Sequence, residues 1–247
     1  MVEETQIGGD NYRFRDTLWT SIIKAKDKKT PGYQSAISCL ISTYWKPVYF
    51  YIRRKGYDVE NAKDLTQSFF TVFLEKEYLK SVDKEQGKFR TFILAALNHF
   101  LSGEKERLGA QKRGGGQQVL SLDFAGAETE ITRGIPDKTT PEAILAKTWA
   151  QTILKNALEN LRREYEAKSQ LVYFNILETH LSAQSNEEES SYEDIASRFN
   201  ISETDVKNYL HRVRRRYKEL IKDEIRKYVS DEKGVEEELK ELFVTFS

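Results

Sequence analysis

The chain has 247 residues, of which 39% are hydrophobic, 32% are charged and only four are proline. This composition is typical of a globular protein with charged helical surfaces, and it excludes a chain that is disordered throughout. The 39 Lys and Arg balance the 39 Asp and Glu, so only the distribution of charge along the chain can point to a nucleic-acid partner.

No segment of the sequence predicts export or membrane insertion. Residues 1–16 lack the apolar core of a signal peptide. The longest apolar run, residues 92–97, is far shorter than the roughly 20 residues of a membrane-spanning helix. We therefore expect a soluble, cytoplasmic protein without a membrane partner. The single cysteine, Cys39, excludes an internal disulfide, and its apolar neighbours favour a buried thiol over a reactive one.

The first half of the chain predicts a helical domain. Thr30-Pro31 has the cap and first-turn proline of a helix start, and Gly56 is a natural helix end. Pro47 lies between them and is expected to interrupt or restart that helix. Asp58 is placed to cap the next helix. The apolar spacing predicts helices over about residues 13–26, 30–54, 59–77 and 88–107.

The second half begins after a segment without periodicity. Glycine, threonine and aspartate accumulate between residues 114 and 140, which indicates a flexible linker. Thr140-Pro141-Glu142 then starts a helix that should extend to about residue 166, with another over 169–181. Two short helices follow, each opened by a serine and a carboxylate three residues later, in SSYE (190–193) and SETD (202–205).

These elements predict an all-α fold of two helical domains joined by a flexible linker. The first domain and the second domain each bury their own apolar stripes. The predicted divisions are an N-terminal extension with a helix (1–30), the first helical domain (31–113), the linker (114–140), the second helical domain (141–228) and an acidic C-terminal tail (229–247).

The most specific motif is YEDIASRFNISETDVKNYLHRVRRRY, residues 192–217. It is typical of a helix-turn-helix, because Ala196 is small where two helices must approach and Asn200 can adopt the left-handed turn conformation. Residues 207–218 contain six Lys or Arg and no acid, while an apolar stripe continues through them. The pattern predicts one packed face and one basic face on the second helix.

In a helix-turn-helix the second helix lies in the major groove of DNA. Ser202 should fix the start of this helix, so that Asn208 and Lys207 meet base edges while Arg214 and Arg215 meet phosphate. The alternative is a solvated basic helix in a bundle. The candidate DNA-binding residues are Lys207, Asn208, Tyr209, His211, Arg212, Arg214 and Arg215.

A second motif, DLTQSFFTVFL, occupies residues 64–74. At 100° per residue its apolar positions cover roughly 200° of arc, about twice the arc that packing on one core requires. The excess predicts a partner, and a helix buried inside its own bundle would account for the same pattern.

A third segment, residues 84–113, holds seven Lys or Arg against three acids, interleaved with phenylalanines. Cations beside aromatic rings suit single-stranded nucleic acid, because bases stack on the rings while the backbone meets positive charge. Phenylalanine at helical spacing also fits a core, so both interpretations stay open. The candidate residues are Phe89, Arg90, Phe92, Asn98, Lys105, Arg107, Lys112 and Arg113.

In their order and spacing these three segments resemble the extracytoplasmic-function (ECF) class of alternative sigma factors, over nearly the whole chain. The segment from Tyr44-Trp45 through Arg113 resembles sigma region two, and residues from about 141 to 226 resemble region four. As in this class, no folded module is expected between them. The chain departs from the commonest pattern in about thirty residues before region two, in Asn208-Tyr209 and in its acidic tail.

The resemblance implies a non-enzymatic sigma factor that directs bacterial RNA polymerase to promoters and assists DNA opening, without cofactor or metal. Region four would read the minus-thirty-five element, and the segment from Phe89 to Arg113 would open and hold the minus-ten element. The DLTQSFF helix would grip the coiled coil of the polymerase's largest subunit, and an inhibitory regulator is a further conceivable partner. The implied polymerase-binding residues are Asp64, Leu65, Gln67, Phe70 and Phe73.

Two other classes of protein share parts of this pattern. A transcription regulator could use the helix-turn-helix alone, without sigma activity. A metal-dependent nuclease would need ligands from Asp58, Glu60, Asp64, Asp83 and Glu85, but no phosphate-binding loop and no His or Cys spacing of a metal site accompanies them. The sequence therefore favours a DNA-binding protein over an enzyme.

The tail, residues 231–247, contains six acids and two lysines with a short apolar stripe. Such a segment can fold back on a basic DNA-binding surface, and it can also be a solvated helix face.

Overall fold

The computed structural model describes residues 33–75, 88–108, 122–134, 139–185, 191–229 and 231–246. Every element in these ranges is an α-helix, which confirms the all-α fold class. In chain order they are α1 (Tyr33–Arg54), α2 (Val59–Glu75), α3 (Phe89–Leu108), α4 (Phe124–Gly134), α5 (Pro141–Ala167), α6 (Leu171–Ser185), α7 (Tyr192–Phe199), α8 (Glu203–Arg226) and α9 (Glu232–Thr245). The helix predicted over residues 13–26 lies outside the described residues.

Helix α1 continues through Pro47, so the predicted interruption is wrong. An internal proline costs about 3 kcal/mol because it lacks the N–H donor and crowds the preceding turn. Pro47 is itself buried, with the buried Tyr44 and Val48 beside it, and this packing offsets the cost. The helix ends at Arg54, and Gly56, predicted as the stop, lies in the following turn with a φ of +95° that favours glycine.

Helix α2 starts at the predicted cap and is enclosed by its own bundle. The Asn61 backbone N–H donates to Asp58 Oδ1 at 2.8 Å, and this bond lowers the pKa of the Asp58 carboxyl. Phe69 packs against Phe73 and, from α3, Phe100, with ring centroids 5.4 and 5.7 Å away. Contacts with both α1 and α3 therefore cover the wide apolar arc of this helix.

The segment predicted as a linker contains helix α4, so the prediction of an unstructured segment is wrong for residues 124–134. Phe124 meets Tyr49 of α1 edge-on, with 4.9 Å between ring centroids. Glu128 accepts hydrogen bonds from Tyr49 Oη and Arg53 Nε, both at 2.7 Å. Eleven residues give too short a periodic pattern to stand out in a glycine-rich context. The division into two domains at this segment stays a prediction.

The first and second halves of the described chain pack together. Among the described helices, α1 and α5 form the most extensive pair, and their buried residues belong to one hydrophobic cluster. Tyr228, after the end of α8, reaches into the first half, where its hydroxyl lies 2.7 Å from Thr43 Oγ1. Its ring lies edge-on to Tyr44. None of the described helices has the length and apolarity that a membrane span requires.

Candidate DNA-binding surface

Both helices of the predicted motif begin at a capping box, but α8, at 24 residues, is longer than the short helix predicted there. Ser202 and Asp205 exchange hydrogen bonds at the start of α8, as predicted: the Asp205 N–H donates to Ser202 Oγ at 3.1 Å and the Ser202 N–H donates to Asp205 Oδ2 at 3.3 Å. At the start of α7 the pair is Ser191 and Asp194, one residue later than the predicted pair in residues 190–193. The start of α8 is therefore fixed by its own residues.

The turn between α7 and α8 forms as the sequence predicts. Asn200 adopts the left-handed conformation, with φ 52° and ψ 51°. On the inner side, the buried residues of α7 are Ile195 and Ala196, and Val206 and Leu210 of α8 are buried as well. The helix-turn-helix is thus a packed unit whose apolar face is fully occupied, and its other face is left for a ligand.

The outer face of α8 is basic and exposed. Lys207, Asn208, His211, Arg212 and Arg215 are all exposed, at positions that share one side of the helix. Because Ser202 and Asp205 fix the helix N-terminus, the first of these side chains project from a rigid start of the helix. This is the arrangement with which a recognition helix enters the major groove.

Three tyrosines border this face, Tyr173, Tyr192 and Tyr209. Tyr209 is half-buried and meets Tyr173 of α6 edge-on, with ring centroids 4.4 Å apart. The Arg212 guanidinium lies 5.9 Å from the Tyr173 ring and the Lys207 ammonium 5.6 Å from the Tyr192 ring. These contacts orient long cationic side chains that would otherwise be free to rotate. Tyr209 therefore contributes to packing at the edge of the surface.

Arg214 and Arg216 differ from the outward-facing cations. Arg214 is exposed but bonds the Nε2 atom of His180 from α6. Burial and the charge of Arg214 lower the pKa of His180, so this imidazole is neutral at pH 7 and accepts the bond. Arg216 pairs with Glu164 of α5, and that bond is the main cause of the lowered pKa of the Glu164 carboxyl. Arg214 and Arg216 thus tie α8 to its bundle.

Sequence reasoning missed one cation of this surface. Arg198 is exposed in the last turn of α7, with its guanidinium 5.9 Å from the Phe199 ring. In a helix-turn-helix the first helix crosses the phosphate backbone, so a lone arginine at its end is a candidate phosphate contact. A helix of eight residues with one basic residue gives little charge pattern from which to predict this.

Most of the described residues that are predicted to contact minus-ten DNA are buried or bonded within the protein. Phe89 is buried between Tyr44 and Tyr228, which leaves no ring face on which a base could stack in this arrangement. Arg90 is engaged with Trp149 and with two glutamates of α9. Phe92 is half-buried beside Phe73, and Asn98 accepts a 2.6 Å bond from Tyr51 Oη.

The remaining members of that set lie at the end of α3 or beyond it. Lys105 and Arg107 belong to the last turns of the helix. Lys112 and Arg113 lie outside the described residues, as do Asp83 and Glu85. The basic cluster is therefore described only through its first part, around Arg90.

The residues predicted to bind polymerase are mostly internal. Phe70 is 0% exposed and Phe73 1%, and Leu65 is buried as well. These three side chains cannot contact polymerase in this arrangement, because α1 and α3 already cover them. Asp64 is exposed and Gln67 is half-buried, so a contact through these two residues stays a prediction.

A family model described as "Sigma-70, region 4" matches residues 185–216. The match covers α7, the turn and the first half of α8, which include all seven candidate residues of the second helix. No curated protein and no solved structure matches the chain significantly. The match supports a non-enzymatic, DNA-binding role of this segment in transcription, of the sigma-factor type.

Proposed function

We propose that this chain is a sigma subunit of bacterial RNA polymerase, of the ECF class, which directs the enzyme to promoters and assists DNA opening. The observation that carries the proposal is the exposed basic face of α8, which lies within the segment matching sigma-70 region 4. A capping box fixes the N-terminal end of this surface, which is the part of a recognition helix that contacts base edges.

In this proposal α8 reads the minus-thirty-five element. Asn208 and Lys207 meet base edges, since Asn pairs with adenine and Lys with the acceptors of guanine in the major groove. Arg212 and Arg215 meet phosphate on either side, and Arg198 adds a contact from α7. The apolar stripe of α8 holds these side chains in register against the rest of the bundle.

The first half of the chain would hold the minus-ten element and bind polymerase. Arg90, Phe92 and Asn98, with Lys105 and Arg107 in the last turns of α3, are the proposed contacts to opened DNA. Asp64 and Gln67 are the proposed accessible polymerase contacts on α2, since their aromatic neighbours lie in the core. The excess of seven Lys or Arg over three acids in residues 84–113 supports this part of the proposal.

The test is transcription by purified core polymerase from a library of duplex DNA with a randomised upstream segment. Sigma activity predicts transcripts that depend on the protein and start downstream of one recurring sequence pattern. A protein with Arg212→Ala and Arg215→Ala should bind polymerase equally well and lose the upstream part of that pattern. Transcripts that are the same with and without the protein contradict the proposal.

The second candidate is a helix-turn-helix regulator without sigma activity. The burial of Phe70 and Phe73 favours it, because the aromatic side chains of α2 are then explained without a polymerase contact. This candidate predicts sequence-selective DNA binding with neither transcription by core polymerase nor co-elution with it. Gel filtration of the protein mixed with core polymerase separates the two candidates directly.

A further inference from the structure

The acidic C-terminal helix α9 is docked on the molecule by its apolar stripe. Val235, Leu239 and Leu242 are buried, and α9 packs against both α8 and α5. Two ion pairs flank this contact on the α8 side, Lys222 with Glu236 at 2.7 Å and Arg226 with Glu232 at 2.8 Å. Helix α9 is therefore packed as an integral part of the fold, and it is not a solvated charged segment.

The other side of α9 faces the start of α3. Arg90 Nη2 lies 3.1 Å from Glu238 Oε2 and 2.5 Å from Glu241 Oε2. Lys88 Nζ bonds Glu241 and lies 3.9 Å from Glu238 Oε1. We call this group the acidic clasp, and its members are Lys88, Arg90, Glu238 and Glu241.

Trp149 and the carboxylates of the clasp together cover most of the Arg90 side chain. Its guanidinium lies 4.8 Å from the centroid of the Trp149 ring on one side and pairs with two carboxylates on another. Only 13% of the Arg90 side chain is exposed. Carboxylates bind the cations as phosphate would, so α9 occupies a cationic position that the proposed minus-ten contact requires.

The clasp also joins the two halves of the chain, which would have to move apart to bind two promoter elements at once. Its cations belong to the first half of the chain, and its carboxylates follow α8 in the second. Elements centred at minus ten and minus thirty-five are about 25 base pairs apart, or roughly 85 Å at 3.4 Å per base pair. A compact chain of this length has a radius of gyration of about 18 Å and a diameter of roughly 46 Å. The packed arrangement therefore cannot contact both elements.

We propose that α9 is an autoinhibitory element whose acidic clasp holds the chain in a closed state that cannot engage promoter DNA. This inference rests on the proposed function of the two DNA-binding surfaces. DNA binding and closure compete for the same cations, so weakening the clasp raises the apparent affinity for DNA by as much as it raises the open population.

Removing α9 altogether is a poor test, because its apolar stripe completes the core. Two full-length variants instead remove one negative charge each from similarly exposed side chains of this helix. Glu241→Gln takes a carboxylate from the clasp, where its side chain is 52% exposed. Glu237→Gln removes a carboxylate whose side chain is 50% exposed. The ion pair of Glu237, at 3.9 Å, is with Lys233 of the same helix. General charge effects on DNA binding are thereby matched.

Fluorescence anisotropy is measured with a labelled single-stranded DNA of about 30 nucleotides and mixed sequence. At low salt, Glu241→Gln should bind it about two- to fivefold more tightly than either the parent protein or Glu237→Gln. Hydrogen exchange should show lower protection of residues 232–245 in Glu241→Gln, with α5 and α8 still protected. Equal DNA affinities of the two variants, or unchanged protection of α9, would overturn the inference.

A third variant and one further assay separate the two proposals. Lys88→Gln opens the clasp from its other side, so it should also lower the protection of α9, without the gain in DNA affinity because a cation is lost. Transcription with core polymerase is then measured for all four proteins. Failure of every protein to support transcription contradicts the sigma function, while the anisotropy and exchange results still decide the clasp.

Discussion

Replacing Arg215 by alanine tests whether the outer face of α8 binds DNA phosphate. Arg215 is exposed, and no ion pair joins it to another described residue. The free energy of unfolding should therefore change by no more than about 0.5 kcal/mol. Losing one phosphate contact lowers the slope of log affinity against log salt by about 0.9. Between about 50 and 200 mM salt, the parent protein should then lose about 3.5-fold more affinity than the variant.

Arg216 supplies the matched control, since it is the next residue and carries the same charge. Its guanidinium donates to Glu164 of α5, with Nε 2.8 Å from Oε2. Arg216→Ala should leave the salt slope unchanged and lower the free energy of unfolding by up to about 1 kcal/mol, because this pair is partly exposed. Anisotropy with a labelled duplex of mixed sequence gives the slopes, and urea unfolding gives the stabilities. Equal slopes for the two variants would refute the assignment of the outer face.

Three further changes probe the same domain. Asn208→Ala should cost about 1–3 kcal/mol at the preferred site and relax selectivity at one or two base pairs, as measured by selection from random duplexes; an unchanged preference contradicts a base contact. Leu210→Ala should lower the free energy of unfolding by about 2–5 kcal/mol in urea, because Leu210 is buried on the inner side of α8. Burial lowers the pKa of His180, so its stabilising contribution is present above its ordinary pKa and is lost as pH falls. His180→Gln should accordingly show a smaller drop in melting temperature between pH 7.5 and 5.5 than the parent protein, and equal drops would contradict this.

The helix-turn-helix is the part of the fold that the sequence predicts best, because local chemistry determines it. A serine and an aspartate three residues apart cap α8, and Asn200 takes the turn, whatever surrounds them. Even here the cap of α7 lies at Ser191, one residue from the predicted position, since either of two consecutive serines can serve. Helical spacing alone is enough to predict which positions of α8 face outward.

Tertiary packing determines what the sequence could not. Pro47 breaks a helix by local rules, but its neighbours in α1 are buried tightly enough to keep the helix intact. The wide apolar arc of α2 correctly indicates burial on two sides, but periodicity cannot say whether another protein or the same chain supplies the second side. In this chain α1 and α3 supply it, and Phe70 is consequently internal.

The sequence also does not predict which distant charged residues form ion pairs. The acidity of the tail and the basicity of residues 84–113 were both visible, but their pairing depends on how α9 docks. Arg90 and Glu238 are 148 residues apart in the chain, and no local pattern connects them. Lys88 was visible in the basic segment but was not singled out as a site residue, because only the position of Glu241 gives it a role.

The chemistry of the clasp suits a contact that has to be broken. Burial raises the pKa of Glu238 despite the opposing effect of Arg90 and Lys88, so the desolvation cost exceeds what these two cations return. For Glu241 the balance is reversed, and its bond with Lys88 is the main cause of its lowered pKa. The clasp therefore combines one carboxylate whose charge is disfavoured by burial with one whose charge is favoured by its bonded cation. A DNA phosphate can compete with these carboxylates for Arg90, whereas an apolar contact of the same area would offer phosphate nothing to compete for.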